Sequence, residues 1–135
     1  MIRIACGLAL CLAVPAFAQS VEVADGNWAG IPEVAPVDQN VRMTDQSMKR
    51  IERIVQTGDC PAIGRRDRVR MNAPFLVQFG AGGAAEKIVV KRMGCPEVES
   101  IIGGIVAARL KAGFYRPTGV NQTGWYQSRL EYQLN

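Results

Sequence analysis

Cys60 and Cys95 are the two cysteines that lie outside the apolar N-terminal segment, and covalent chemistry between them is the first possibility to weigh. No Cys-x-x-Cys motif and no third soft ligand accompanies them, which disfavours a redox pair or a metal site. In an oxidising compartment two such thiols form a single disulfide. Cys60 and Cys95 are 35 positions apart. On the chain-entropy account, a bridge that closes a loop of this length stabilises a fold by roughly 3–4 kcal/mol. We therefore predict a structural Cys60–Cys95 disulfide, with a redox or metal-binding pair as the alternative.

The chain contains no histidine, although it has 12 acidic residues. This excludes Ser-His-Asp and Cys-His catalysis and zinc sites built on imidazole. No motif marks a pair of carboxylates for acid–base catalysis of the glycosidase type. The glycine-rich residues 80–85 lack the Gly-Lys-Ser/Thr ending of a phosphate-binding loop, so we interpret them as a hairpin connection. We predict a protein that is not an enzyme and takes no cofactor and no metal.

A basic cluster is formed by Arg65, Arg66, Arg68 and Arg70. Such a cluster could bind an anionic surface, such as lipid phosphates or the carboxylates of the cell wall. It is also the pattern of a solvated loop that runs into an edge strand, where charges discourage aggregation. Both interpretations stay open, and the second is the one we favour.

Residues 1–18 have the pattern of a cleavable secretory signal peptide. One positive charge precedes an uninterrupted apolar run over residues 4–14, and Ala16-Phe17-Ala18 supplies the small-x-small pattern that signal peptidase accepts. The run is shorter than the about 20 residues of a membrane-spanning helix. The residue before Cys11 is too large for a lipoprotein site. We predict cleavage after Ala18 and a periplasmic location.

Cleavage would leave residues 19–135 as one soluble domain with an N-terminal extension. No second apolar run approaches membrane length, so we expect no stable membrane insertion. The net charge of +4 falls by one unit with the signal peptide, which is too weak to predict a nucleic-acid partner. Residues 19–44 lack periodic apolar pattern and contain Pro32 and Pro36, so we predict an extended arm in which Trp28 packs against the domain. The folded domain is predicted at residues 45–135.

Two segments have the apolar spacing of helices. Residues 45–57 place four apolar side chains on one face, and Gly58 follows as a helix terminator. A second helix begins at Cys95-Pro96-Glu97 and ends at Gly113. Adjacent glycines in its interior, Gly103 and Gly104, weaken a helix and predict that its backbone approaches a sheet closely.

Three segments have the alternation of strands. Residues 75–79 and 87–93 flank the glycine-rich connection and predict a hairpin. In residues 126–134 the even positions are mostly apolar and the odd positions wholly polar. We therefore predict that one face of this last strand covers a helix while its other face is exposed to water. The order of elements is α-β-β-α-β.

This order, together with the sequence Gly113-Phe114-Tyr115-Arg116-Pro117 after the second helix, resembles the C-terminal domain of TonB and its relatives. In that family a hairpin leads to a helix that ends in an aromatic-x-Pro signature, and a final strand closes the sheet. The resemblance covers about residues 45–135. It implies an α+β fold in which a small antiparallel three-stranded sheet carries two helices on one face.

Some features depart from the family pattern. The hairpin has Ala81-Gly82-Gly83-Ala84 where the family usually has Asp-Gly, and the disulfide is an addition. Energy transducers of the family keep an uncleaved membrane helix and a long proline-rich spacer, which we do not expect here. The resemblance therefore implies a binding domain without its own anchor.

For function, the resemblance implies a protein-binding module related to transmembrane transport. In the family a sheet edge accepts an extended peptide, the TonB box of an outer-membrane transporter, by strand addition. The corresponding residues here are Trp125, Tyr126, Gln127, Ser128, Arg129 and Leu130. A homodimer through the last strands is a further expectation. The alternative function is an envelope-associated accessory protein that binds an anionic surface through residues 65–70.

Overall fold

The computed structural model describes residues 20–37, 45–61, 63, 69–117 and 123–134. They form an α+β fold with a four-stranded mixed sheet and two helices. The elements are, in chain order, β1 (Ser20–Ala24), α1 (Asp45–Thr57), β2 (Val69–Phe79), β3 (Ala85–Lys91), α2 (Pro96–Lys111) and β4 (Gly124–Leu134), with a short 3-10 turn (Ala81–Gly83) between β2 and β3. Across the sheet the strands lie in the order β1-β3-β2-β4.

The strands predicted from the sequence form the antiparallel part of the sheet. β2 pairs with β3 as a hairpin and with β4 along the whole of its length. In the hairpin turn, Gly82 and Gly83 have φ values of 77° and 76°, a region that residues with a side chain rarely adopt. The glycine-rich segment therefore serves as a connection, as its composition indicates.

The prediction of three antiparallel strands was wrong because the sheet has a fourth strand. β1 pairs in parallel with β3, with Val21 opposite Ile88. It comes from the segment that the sequence predicts to be an extended arm. A parallel partner far along the chain leaves no turn signal beside the strand, and most side chains of this short strand are exposed.

Both helices have the predicted bounds to within a few residues. α1 is followed by Gly58 and α2 by Gly113, and both glycines have positive φ, at 78° and 80°. Apolar side chains of the two helices and of one sheet face join in a single core. Its largest fully buried members are Phe75, Ile51, Ile88 and Ile102.

The predicted disulfide between Cys60 and Cys95 is present. The two Cα atoms are 5.5 Å apart, which is within the usual range for a disulfide. Both cysteines are buried, at 1% and 4% exposure. The bridge ties the segment after α1 to the residue that immediately precedes α2.

Glu99 is the one charged residue that is buried among the described residues, with 4% exposure. Its Oε1 accepts hydrogen bonds from the backbone N–H groups of Met93, at 2.6 Å, and Cys95, at 3.3 Å. The N–H of Glu99 donates to the carbonyl of Cys95 at 3.0 Å, which is the first i to i−4 hydrogen bond of α2. The carboxylate of Glu99 thus supplies an acceptor for two backbone N–H groups that immediately precede the helix.

Replacement of Gly103 by alanine should leave the protein about 1–3 kcal/mol less stable than the same change at Gly104. A Cβ at Gly103 would lie 2.6 Å from Cγ1 of Val21 and 3.7 Å from Cγ2 of Val90, so the Val21 side chain or the strand that carries it would have to shift. A Cβ at Gly104 meets nothing within 4 Å, and this variant should gain up to about 1 kcal/mol of helix stability. Chemical denaturation of the two variants measures the difference. Equal stabilities would contradict a close approach of α2 to β1.

Candidate binding edge

The predicted partner-binding residues 125–130 lie in β4, which is an outer strand of the sheet. Tyr126 and Leu130 belong to the core, with exposures of 7% and 2%. Arg129 is exposed, and the remaining three residues are half-buried. The edge of β4 that faces away from β2, called the outer edge below, is where a further strand could add.

Part of the outer edge is already paired with the chain's own residues 31–37, called the edge segment below. Glu33 and Gln127 form an isolated parallel bridge. The N–H of Gln127 donates to the carbonyl of Pro32 at 2.8 Å, and the N–H of Val34 donates to the carbonyl of Gln127 at 2.9 Å. This is the alternating bond pattern of a parallel strand pair.

Side-chain contacts reinforce the bridge on both sides of the sheet. Nε2 of Gln127 donates to the carbonyl of Ile31 at 2.6 Å. A guanidinium nitrogen of Arg129 lies 3.8 Å from a carboxylate oxygen of Glu33, and both side chains are largely exposed. Val34 points the other way, into the core, and is 2% exposed. The edge segment is therefore held by backbone pairing, one side-chain hydrogen bond from Gln127, one ion pair and one buried apolar side chain.

The arm reaches this edge from β1, which lies at the opposite edge of the sheet. Between the two edges, Trp28 contacts the face that the helices leave uncovered, with Nζ of Lys91 at 5.4 Å from the centre of its ring. Ion pairs also join the start of the arm to the domain, from Glu22 to Lys87 at 3.0 Å and from Asp25 to Arg92 at 3.1 Å. The position of Trp28 agrees with the predicted packing of the arm.

The face opposite the helices is accordingly less exposed than the alternation of β4 predicts. Leu76 and Val89, which point to this face, are only 8% and 7% exposed. Gln127, one of the polar odd positions, is half-buried and bonded to the arm. The prediction that this side of β4 is exposed to water was therefore wrong around Gln127. The sequence of β4 alone gives no sign of a segment that covers it.

The edge segment ends beside the aromatic signature that follows α2. Pro36 bridges Tyr115 in antiparallel orientation, and the N–H of Val37 donates to the carbonyl of Phe114 at 2.7 Å. Tyr115 is 3% exposed and meets Phe75 edge to face, with ring centres 5.3 Å apart. The signature thus links the core to the end of the arm.

Next to the edge segment lies a groove of about 1020 Å³. Its walls include Val34, Pro36 and Tyr115 on one side and residues 127–131 of β4 on the other. The described part of the arm makes no backbone hydrogen bond to β4 beyond Gln127. Among the described residues, none pairs through its backbone with the outer edge between Ser128 and Glu131.

Several predicted features fall outside the described residues. They include the signal peptide with its cleavage after Ala18, and Arg65, Arg66 and Arg68 of the basic cluster. Arg70 lies in β2, but only its backbone is described. Within the ranges that are described, no helix is long and apolar enough to cross a membrane, and no group of three cysteine or acidic side chains could hold a metal ion.

Sequence reasoning missed Glu33 and Val34 as contacts of the outer edge. The available signal was weak: Pro32 and Pro36 frame a short segment, and proline is typical of strand edges. That signal cannot identify which strand the segment joins. Comparison with protein-family models, with curated proteins and with solved structures finds no match to this chain. The resemblance to TonB C-terminal domains therefore stays a prediction from the sequence.

Proposed function

We propose that this protein is a periplasmic protein-binding module, related to TonB C-terminal domains, that engages an envelope protein by strand addition at the outer edge of β4. The partner would be an extended segment of an outer-membrane transporter or of another envelope protein.

The observation that carries this proposal is the pairing of the edge segment with Gln127. The outward-facing N–H and carbonyl of that residue already accept an extended segment in parallel register. In a β-strand alternate residues face the same edge, so the backbone groups of Arg129 and Glu131 share this direction. The groove beside them offers room for a strand. Main-chain hydrogen bonds of this kind provide the affinity in strand-addition complexes.

Replacement of Glu131 by proline should weaken peptide binding about fivefold or more, because it removes an outward N–H donor worth roughly 1 kcal/mol. Proline is tolerated on an edge strand where its missing N–H would face solvent. The measurement is an NMR titration of the mature, oxidised protein with TonB-box peptides, following the amides of residues 125–134. Glu131→Ala is the matched control, since it removes the same side chain and keeps the N–H.

The titration also tests the proposal as a whole. We expect the amide shifts to be largest at the outward-facing positions of β4 and to disappear when the peptide backbone is N-methylated at alternate residues. If no peptide moves these amides, or if N-methylation is without effect, strand addition at this edge is wrong.

A further inference from the structure

We propose that the edge segment is a built-in competitor for the outer edge of β4, and that the external partner reproduces its chemistry. That partner is an extended peptide, parallel to β4, with a carboxylate that faces Arg129 and a β-branched apolar residue in the place of Val34. This inference rests on the proposed function and adds to it the regulation and the ligand class of the same edge.

The edge segment makes few contacts with β4, so another strand could replace it. β2 and β4 pair along eleven positions, from Val69 opposite Leu134 to Phe79 opposite Gly124. The edge segment, in contrast, bridges β4 at one residue, Gln127. Its ion pair joins side chains that are 54% and 72% exposed and is therefore screened by solvent. A competing strand has few hydrogen bonds to replace.

The edge segment also defines what the edge recognises. Glu33 meets the guanidinium of Arg129 on the exposed side, where a charge pair selects partners and orientation more than it adds affinity. Val34 fills a site that is 2% exposed, so an apolar side chain of similar size is needed there to avoid a cavity. Polar or bulky residues at this position would be rejected.

Two prolines limit the backbone pairing of the edge segment. Pro32 supplies a carbonyl to Gln127, and because the backbone groups of one residue face the same edge, its missing N–H lies on the side of β4. Pro36 lies at the end of the segment, where it bridges Tyr115. The bound segment covers the sheet edge at Gln127, and its departure would uncover that edge.

The groove explains how a partner could gain entry. Residues 128–131 of β4 border open space and are not bonded through their backbone to the described part of the arm. A partner strand can pair there first and then displace the edge segment at Gln127. Because the segment is tethered, its effective concentration is high, and the apparent affinity of a free peptide falls by the fraction of molecules whose edge is open.

The decisive experiment uses one peptide and two variants of the mature protein. The peptide is residues 29–37 of this chain, capped at both ends. Val34→Pro removes the donor to the Gln127 carbonyl and opens the edge. The double variant Glu33→Cys, Gln127→Cys places a cysteine at each position of the β-bridge. A disulfide between the two cysteines would hold the edge segment on β4, giving the locked protein. This new bridge is more accessible than Cys60–Cys95, which is buried, so a mild reductant opens it selectively.

We expect the peptide to bind the Val34→Pro protein about tenfold more tightly than the wild-type protein. The locked protein should not bind until the reductant is added. If the wild-type, Val34→Pro and locked proteins bind the peptide with equal affinity and their β4 amides shift, the edge segment is not a competitor. The proposed function would remain intact in that case. Failure of even the Val34→Pro protein to bind any peptide would overturn both. If the Val34→Pro protein self-associates and does not bind the peptide, the occupant of the open edge is a second copy of this chain, and the proposed peptide partner is wrong.

A charge-reversal pair tests the ligand class without disturbing the buried Val34. The protein variant is Arg129→Glu, and the peptide variant carries arginine at the Glu33 position. We expect each protein to prefer the peptide of opposite charge, with a preference of about threefold to tenfold that shrinks at high salt. An unchanged peptide preference in the Arg129→Glu protein would overturn the assigned role of the carboxylate.

Discussion

Replacement of both Cys60 and Cys95 by alanine is expected to lower the free energy of unfolding by about 3–4 kcal/mol. The bridge joins residues separated by 35 positions, and its loss frees that loop in the unfolded chain. The enclosed segment includes β2, the hairpin and β3, so the bridge restricts a large part of the unfolded domain. Urea denaturation followed by circular dichroism measures the effect.

Reduced wild-type protein is the matched control for the alanine pair. If the covalent link carries the effect, reduced wild-type protein and the alanine variant should unfold at similar urea concentrations, both well below the oxidised protein. Both sulfurs are buried, so reduction should require a denaturing step and the native protein should resist the reductant. An alanine pair as stable as the oxidised wild type would contradict the stabilising role.

The elements that the sequence predicted correctly are those with local signals. α1 ends before Gly58 and α2 before Gly113, and both residues have the positive φ that favours glycine. The alternation of β4 identifies its core-facing residues, Tyr126 and Leu130. The adjacent glycines of α2 predicted that the helix backbone approaches the sheet closely. This approach occurs at Gly103, beside Val21, and not at Gly104. In each case neighbouring residues carry the information.

The features that the sequence did not predict depend on pairing between distant segments. β1 joins β3 in parallel, and Glu33 joins Gln127 near the other end of the chain. Neither contact has a turn between its partners, so no periodicity or turn residue marks it. Glu99 is a related case: its position in the first turn is apparent, but its burial and its bonds to Met93 and Cys95 require the fold.

The arm is attached to the domain by ion pairs along its length. Its acidic residues Glu22, Asp25 and Glu33 each meet a basic residue of the domain, namely Lys87, Arg92 and Arg129. These side chains are between 34% and 72% exposed, so each pair contributes little to stability and is weakened by salt. Val34 and the backbone bonds of Gln127 provide the specific part of the attachment. The arm is thus attached by weak exposed ion pairs along its length and by one side chain, Val34, that belongs to the core.

Replacement of Glu99 by alanine is expected to lower the free energy of unfolding by about 2–4 kcal/mol. The substitution leaves the N–H groups of Met93 and Cys95 without their acceptor. An unsatisfied buried donor, such as that of Cys95, costs roughly 1–3 kcal/mol, and the part-buried donor of Met93 costs less. Hydrogen exchange should accelerate at these two amides, which lie between β3 and α2, more than at the amides of the sheet. Glu99→Gln keeps an acceptor oxygen and should recover a substantial part of the loss.

Glu97→Ala separates this effect from the charge of the first helical turn. Glu97 also lies in the first turn of α2, but it is largely exposed and pairs with Arg50 at 3.5 Å. Both substitutions remove one negative charge near the positive end of the helix dipole, and Glu97→Ala should cost less than about 1 kcal/mol. The difference between the two alanine variants therefore measures the buried bonds of Glu99. Equal losses would contradict the assignment, because they would mean that the carboxylate acts through its charge and not as the acceptor that fixes the start of α2 beside the disulfide.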